Sequence, residues 1–222
     1  MIETLNSIGI SNGMITSAGI TIVLIGISIY AGKRLQTVPS GLQNFLEWAI
    51  ESLFDFFSGI MGRETCKKYF PLVATLFIYI LIANYSGLLP GSGHVNGLAT
   101  PTASINCTAA MAIVVFFATQ YIGIKENNGL RYYKHLLKPF AFMLPLLLIE
   151  EFVRPLSLTL RLYGNVYGEH EVTTVFFDLV PVGLPVVMQA LSVLMGLVQA
   201  LVFSLLAAIY IHEAMPEEGE HL

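Results

Sequence analysis

Long apolar blocks dominate the chain, and the breaks between them predict its elements. No Asp, Glu, Lys or Arg falls between Thr4 and Gly32. The apolar part of that stretch predicts a helix over about 14–32, enough to cross a hydrocarbon layer about 30 Å thick. From Tyr69 to Ile124 no residue carries a formal charge, and Leu89-Pro90-Gly91-Ser92-Gly93, continuing to Pro101, interrupts the run. Pro and Gly at that density mark a turn, so two helices are predicted, about 69–89 and 103–124. Phe140 to Asp178 is apolar but studded with charges, and Val182 to Ile211 is apolar without any. These predict helices of about 140–177 and 183–213, roughly 57 Å and 45 Å long at 1.5 Å per residue. Neither stands upright in a 30 Å layer, so strong tilt or a break is expected. Pro145 and Pro155 supply kink positions, and Pro181 with Pro185 marks the hairpin between the two.

Leu42, Phe45, Leu46, Ala49, Ile50, Leu53, Phe54 and Phe57 recur at helical spacing. They predict an amphipathic helix over about 41–58 lying along the membrane surface. Glu47, Glu51 and Asp55 form an acidic stripe on its polar side, read as a solvated face or a partner contact.

Composition agrees with the pattern. Of 222 residues, 55% are hydrophobic and 12% charged, and mean hydropathy is +0.71. A soluble domain carries about 25% charged residues, so a water-soluble enzyme and a disordered chain are excluded. A net charge of -4 offers no basic footprint for nucleic acid. The fold class is all-α integral membrane: one domain over 1–222, five membrane-embedded helices with the last two a long tilted hairpin, and one surface helix. No basic segment precedes the first apolar run, so no cleaved signal peptide is expected.

Lys33, Arg34, Arg63, Lys67 and Lys68 fall between the first and second spans, and Lys125, Arg131, Lys134 and Lys138 between the third and fourth. The positive-inside rule puts that face in the cytoplasm, the N-terminus outside and the C-terminus inside. Cys66 and Cys107 then lie toward opposite sides, too far apart for a disulfide.

The two remaining basic residues, Arg154 and Arg161, lie inside the fourth span. An arginine there costs roughly 2.5–3.5 kcal/mol on insertion scales and marks a functional site by default. Arg154 has Glu150 at i−4 and Glu151 at i−3, a local ion pair. Arg161 has Ser157, Leu158, Gly164 and Asn165 at those spacings, none acidic, and Glu169 is about 12 Å along the axis. Its counter-charge is expected on another molecule, unless Gln199 and backbone carbonyls cap it.

Asn165, Glu169, His170, Glu171 and Asp178 follow Arg161 on the outer side. The last span answers with Gln189, Ser192, Gly196 and Gln199 on one helical face. A hairpin centred near 180 brings Gln199 opposite Arg161 and Ser192 opposite Glu169, to within about a turn. Intramembrane Glu and His mark proton or cation relays, although Gln189 and Ser192 also serve as interhelical hydrogen-bond links. Two other classes stay open. A secondary transporter would hold an anionic substrate at Arg161, though no inverted repeat is detectable. An intramembrane enzyme lacks an evident Ser–His or His–carboxylate set.

The run Ser157-Leu158-Thr159-Leu160-Arg161-Leu162-Tyr163-Gly164-Asn165 closely resembles the signature of subunit a of rotary F-type ATP synthases. So do Pro101-Thr102-Ala103-Ser104-Ile105-Asn106, Asn84 before Leu88-Leu89-Pro90, and Gln199-Ala200-Leu201 through Tyr210. The resemblance runs from about 38 to 214. It implies a stator subunit of the membrane sector, with peripheral-stalk b subunits and a rotating c-ring as partners, in a bacterial inner membrane. It also implies two offset half-channels for H⁺ or Na⁺, no cofactor, and no catalysis by this chain alone. Arg161 would face the ring carboxylates, with Asn165 and Gln199 beside it. The chain has His170 where many relatives carry an acid, Ser192 where some carry His, and Ser104 where an acid is common. The outer relay is therefore left among Glu169, His170, Glu171 and Ser192. Glu150, Glu151, Arg154, Gln189 and Asn84 are secondary candidates.

Overall fold

The structure, a computed structural model, describes residues 12–33, 41–88, 100–126, 144–179 and 184–216. Among them every regular element is helical: α1 Asn12–Lys33, α2 Leu42–Met61, α3 Arg63–Tyr85, α4 Ile105–Glu126, α5 Leu144–Leu179 and α6 Leu184–Glu213. Short 3-10 turns at Ser86–Leu88 and Pro101–Ala103 flank the break between α3 and α4. Gly87 lies so close to the Thr100 side chain that a Cβ would collide with it.

α1 is apolar on all sides and its Ile22, Val23, Ile25 and Ile27 are exposed, as befits a helix surrounded by lipid. It is tied to α3 by Ser17 Oγ and Tyr79 OH, 2.6 Å apart. α2 is amphipathic, with Phe57 and Met61 buried and Phe45 and Trp48 exposed. It passes into α3 through Gly62, whose φ of 77° and ψ of 150° suit only glycine. α3 therefore begins at Arg63, not near 69, because the charged turn 63–68 continues the helix beyond its apolar run.

α6 is the central helix. Its Ala200, Phe203 and Ala207 pack with Phe77 and Ile80 of α3, Ala112 and Val115 of α4, and Leu158 and Leu162 of α5. Ala208 and Ile211 join a second cluster with Phe57, Met61, Cys66, Val73 and Ile122. Lipid is as apolar as these side chains, so close packing and hydrogen bonds, not withdrawal from water, hold such helices together. The small residues of α6 permit that closeness. A Cβ on Gly196 would stand 3.2 Å from Tyr85 Cε1 and 3.3 Å from Asn84 Cβ. Buried hydroxyls bond back to their own helices: Thr119 to Val115 O at 2.6 Å and Ser204 to Ala200 O at 2.8 Å. Cys66 and Cys107 are free thiols.

Among the described residues four helices are long and apolar enough to cross a membrane: Gly13–Tyr30, Arg63–Leu88, Ile105–Glu126 and Val187–Glu213. α5 is not among them, since its Glu and Arg residues leave no stretch of spanning length free of several charges. At 36 and 30 residues, α5 and α6 measure about 54 Å and 45 Å. They pack against each other.

Candidate functional site

Arg161 sits at the middle of α5. One side of that helix is buried through Leu158, Thr159 and Leu162. The other is an exposed apolar stripe of Ile149, Phe152, Val153, Leu156, Leu160, Val172 and Val175. Arg161 is exposed beside that stripe, next to an exposed Gly164 with open space where a Cβ would be. Among the described residues it has no hydrogen bond and no ion pair. An arginine cannot shed its proton to escape an apolar setting.

One turn along, Asn165 Nδ2 donates to Gln199 Oε1 at 2.6 Å, linking α5 to α6. Gln199 is buried, and its Nε2 has no partner among the described residues. The same holds for Asn84 Oδ1 and Thr102 Oγ1. Asn84 Nδ2 donates to Gly196 O at 3.0 Å. These three buried polar atoms without partners belong one each to α3, the turn at Pro101–Ala103 and α6. Each such atom costs about 1–3 kcal/mol unless water reaches it.

The other expected residues divide. Ser192 Oγ donates to Met188 O of its own helix at 3.0 Å. Gln189 Nε2 reaches Leu88 O at 3.4 Å, and Tyr85 OH donates to Val193 O at 3.2 Å. Much of the α6 polar face thus meets α3, whereas Gln199 meets α5. Glu169 is half-buried and without a hydrogen-bond partner among the described residues, while Glu171 is exposed. His170, Glu150 and Glu151 fall on α5, but their side chains lie outside the described residues. Arg154 bonds across helices: its Nη2 is 2.9 Å from Glu213 Oε2, and its guanidinium lies 4.8 Å from the Tyr210 ring centre. The i±3 and i±4 spacing rule sees one helix only, so it could not find Glu213. Thr102 gave no signal beyond its place in a motif. Among the described residues no group of three or more His, Cys, Asp or Glu stands ready to hold a metal ion.

Residues 14–212 match the ATP synthase A chain family. A protein named ATP synthase subunit a from Trichlorobacter lovleyi is 41% identical over 211 residues, 93% of this chain and 88% of its own. One of the same name from Geobacter sp. strain M21 is 45% identical over 200 residues, 88% of this chain and 84% of its own. Another from Geotalea daltonii is 42% identical over 223 residues, covering 97% and 93%. With the Arg161 run on the long α5 and four further described helices long and apolar enough to cross a membrane, the chain belongs to the ATP synthase subunit a family, a membrane component of that complex.

Proposed function

We propose that the chain is the stator side of an ion path, carrying H⁺ or Na⁺ through two half-channels to and from carboxylates on a rotating c-ring. It crosses the membrane five times, α5 and α6 forming a tilted hairpin. The N-terminus is outside the bacterial inner membrane and the C-terminus in the cytoplasm. Peripheral-stalk b subunits hold it still, and ATP chemistry takes place elsewhere in the complex.

The observation that carries this reading is Arg161: charged, exposed on an apolar helix face and without a partner among the described residues. Such a group is stable in a membrane only if a counter-charge or water meets it. Ring carboxylates would be that counter-charge. Each takes up an ion from outside and becomes neutral, so that it can face lipid without a large desolvation penalty. It later returns and releases the ion inward. The fixed guanidinium attracts the ionised site and repels cations that would leak between the two half-channels. The partnerless buried atoms of Asn84, Thr102 and Gln199 suit a water-filled outer path. Half-buried Glu169, with its sequence neighbours His170 and Glu171 on α5 and with Ser192 on α6, would serve as its relay.

Arg161→Ala in the intact complex tests this. ATP-driven ion uptake into inverted vesicles should vanish while the chain still assembles. Uptake at the wild-type rate would refute the role.

A further inference from the structure

Arg154 and Arg161 occupy nearly the same face of α5, seven residues and about 10.5 Å apart. Their electrostatic settings are opposite. Arg161 has no ion pair among the described residues, whereas Arg154 is paired with Glu213 at 2.9 Å and stacked on Tyr210. Arg154 is also the more enclosed, lining a narrow cleft with Pro155, Leu158, Tyr210 and the α4 residues Ala112, Val115 and Thr119. Glu213 belongs to the last turn of α6 and is half exposed, and its carboxylate joins the far end of that helix to the first third of α5.

We infer that Glu213 is a positioning residue for the ion path: it holds Arg154 against α6 and cancels its charge, leaving Arg161 as the uncompensated cation of that helix face. This rests on the reading of Arg161 as the ring-facing residue. Two cations in a row on the inner half of α5 would work against the cycle in two ways. The second would draw an ionised ring carboxylate away from Arg161. It would also repel an outgoing cation on its way to the cytoplasm. Pairing across the helices removes both effects and keeps Arg154 as an anchor. Glu150 and Glu151 lie one turn back along α5. They are bound to the same helix as Arg154 and cannot link it to α6.

The test compares Glu213→Gln, Arg154→Gln and the double variant R154Q/E213Q in the intact complex. ATP-driven ion uptake is normalised to the amount of chain assembled. E213Q should lose about threefold or more, since the more enclosed Arg154 loses its cross-helix carboxylate while its own charge remains. R154Q should lose less, because Glu213 is open to water. The double variant should recover most of the E213Q loss. Equal impairment of all three would show a purely mechanical tie and overturn the inference, as would wild-type uptake by E213Q. Should E213Q fail to assemble, the exchanged pair R154E/E213R keeps the local charge sum and should retain uptake; an inactive exchanged pair in assembled complex would refute the inference. Arg161→Gln separates the two levels. If R161Q pumps normally, the reading of the ion path itself fails; if R161Q is dead and E213Q normal, only the role of Glu213 does.

Discussion

Asn165 donates to Gln199 across 2.6 Å, and this bond joins α5 to α6 one helical turn from Arg161. In the proposed path it fixes the lateral position of the guanidinium, since Arg161 and Asn165 share a helix face. Gln199→Leu should reduce ATP-driven uptake several-fold with assembly retained. Asn165→Leu should do the same, and the double variant should lose little more than the worse single one, as residues acting through one bond are not additive. Losses that multiply would assign the two amides separate tasks.

Gly196 sets how closely α3 and α6 approach. Its missing Cβ leaves 3.2 Å to Tyr85 and 3.3 Å to Asn84. Gly196→Leu should force the helices apart at about 1–3 kcal/mol, the usual range for overpacking. The expected readout is a lower detergent-denaturation midpoint and less chain retained in membranes. An unchanged midpoint would mean that the crossing is wider than described.

Glu169 and Glu171 differ in exposure, half-buried against open. Glu169→Gln should therefore slow ion uptake more than Glu171→Gln, and His170→Ala should also slow it. Assembly should change little in any of them. Normal uptake by the E169Q/H170A double variant would move the outer path elsewhere.

Gly62 holds φ 77° and ψ 150° at the joint between α2 and α3. Gly62→Ala should cost about 1–3 kcal/mol, because residues with a Cβ scarcely enter that region. Gly59, inside α2 with open space around it, should accept Ala with far smaller loss. Thermal stability of the two variants in detergent compares the sites directly.

The helices were legible because the membrane imposes a simple rule: a stretch without charge must be a span, and Gly with Pro must be a break. The start of α3 was not, since Arg63 to Lys68 look like loop when read by charge, yet Gly62 is the residue that ends one helix and starts the next. Arg161 was legible as a charge without a neighbour on its own helix. The partners of Arg154, Asn165 and Asn84 were harder. Glu213, Gln199 and Gly196 lie far along the chain, and pairing across helices depends on how the helices are rotated. The polar face of α6 illustrates this. Its spacing placed Gln189, Ser192, Gly196 and Gln199 together, but only packing reveals that Gly196 meets α3, Gln189 the 3-10 turn after it, and Gln199 α5.

The central claim is that the face of α5 carrying Arg161 lies against carboxylate-bearing subunits of a ring. Leu160, exposed beside Arg161, offers the most direct measurement. With Cys66 and Cys107 replaced by Ser, Leu160→Cys is paired with a cysteine one turn from the ring's ion-binding carboxylate. Mild oxidation of the assembled complex should join the two subunits by a disulfide. Ile22→Cys on the lipid-exposed α1 should give none. Absence of the Leu160 cross-link, with its thiol open to lipid-soluble maleimide in the assembled complex, would contradict the account.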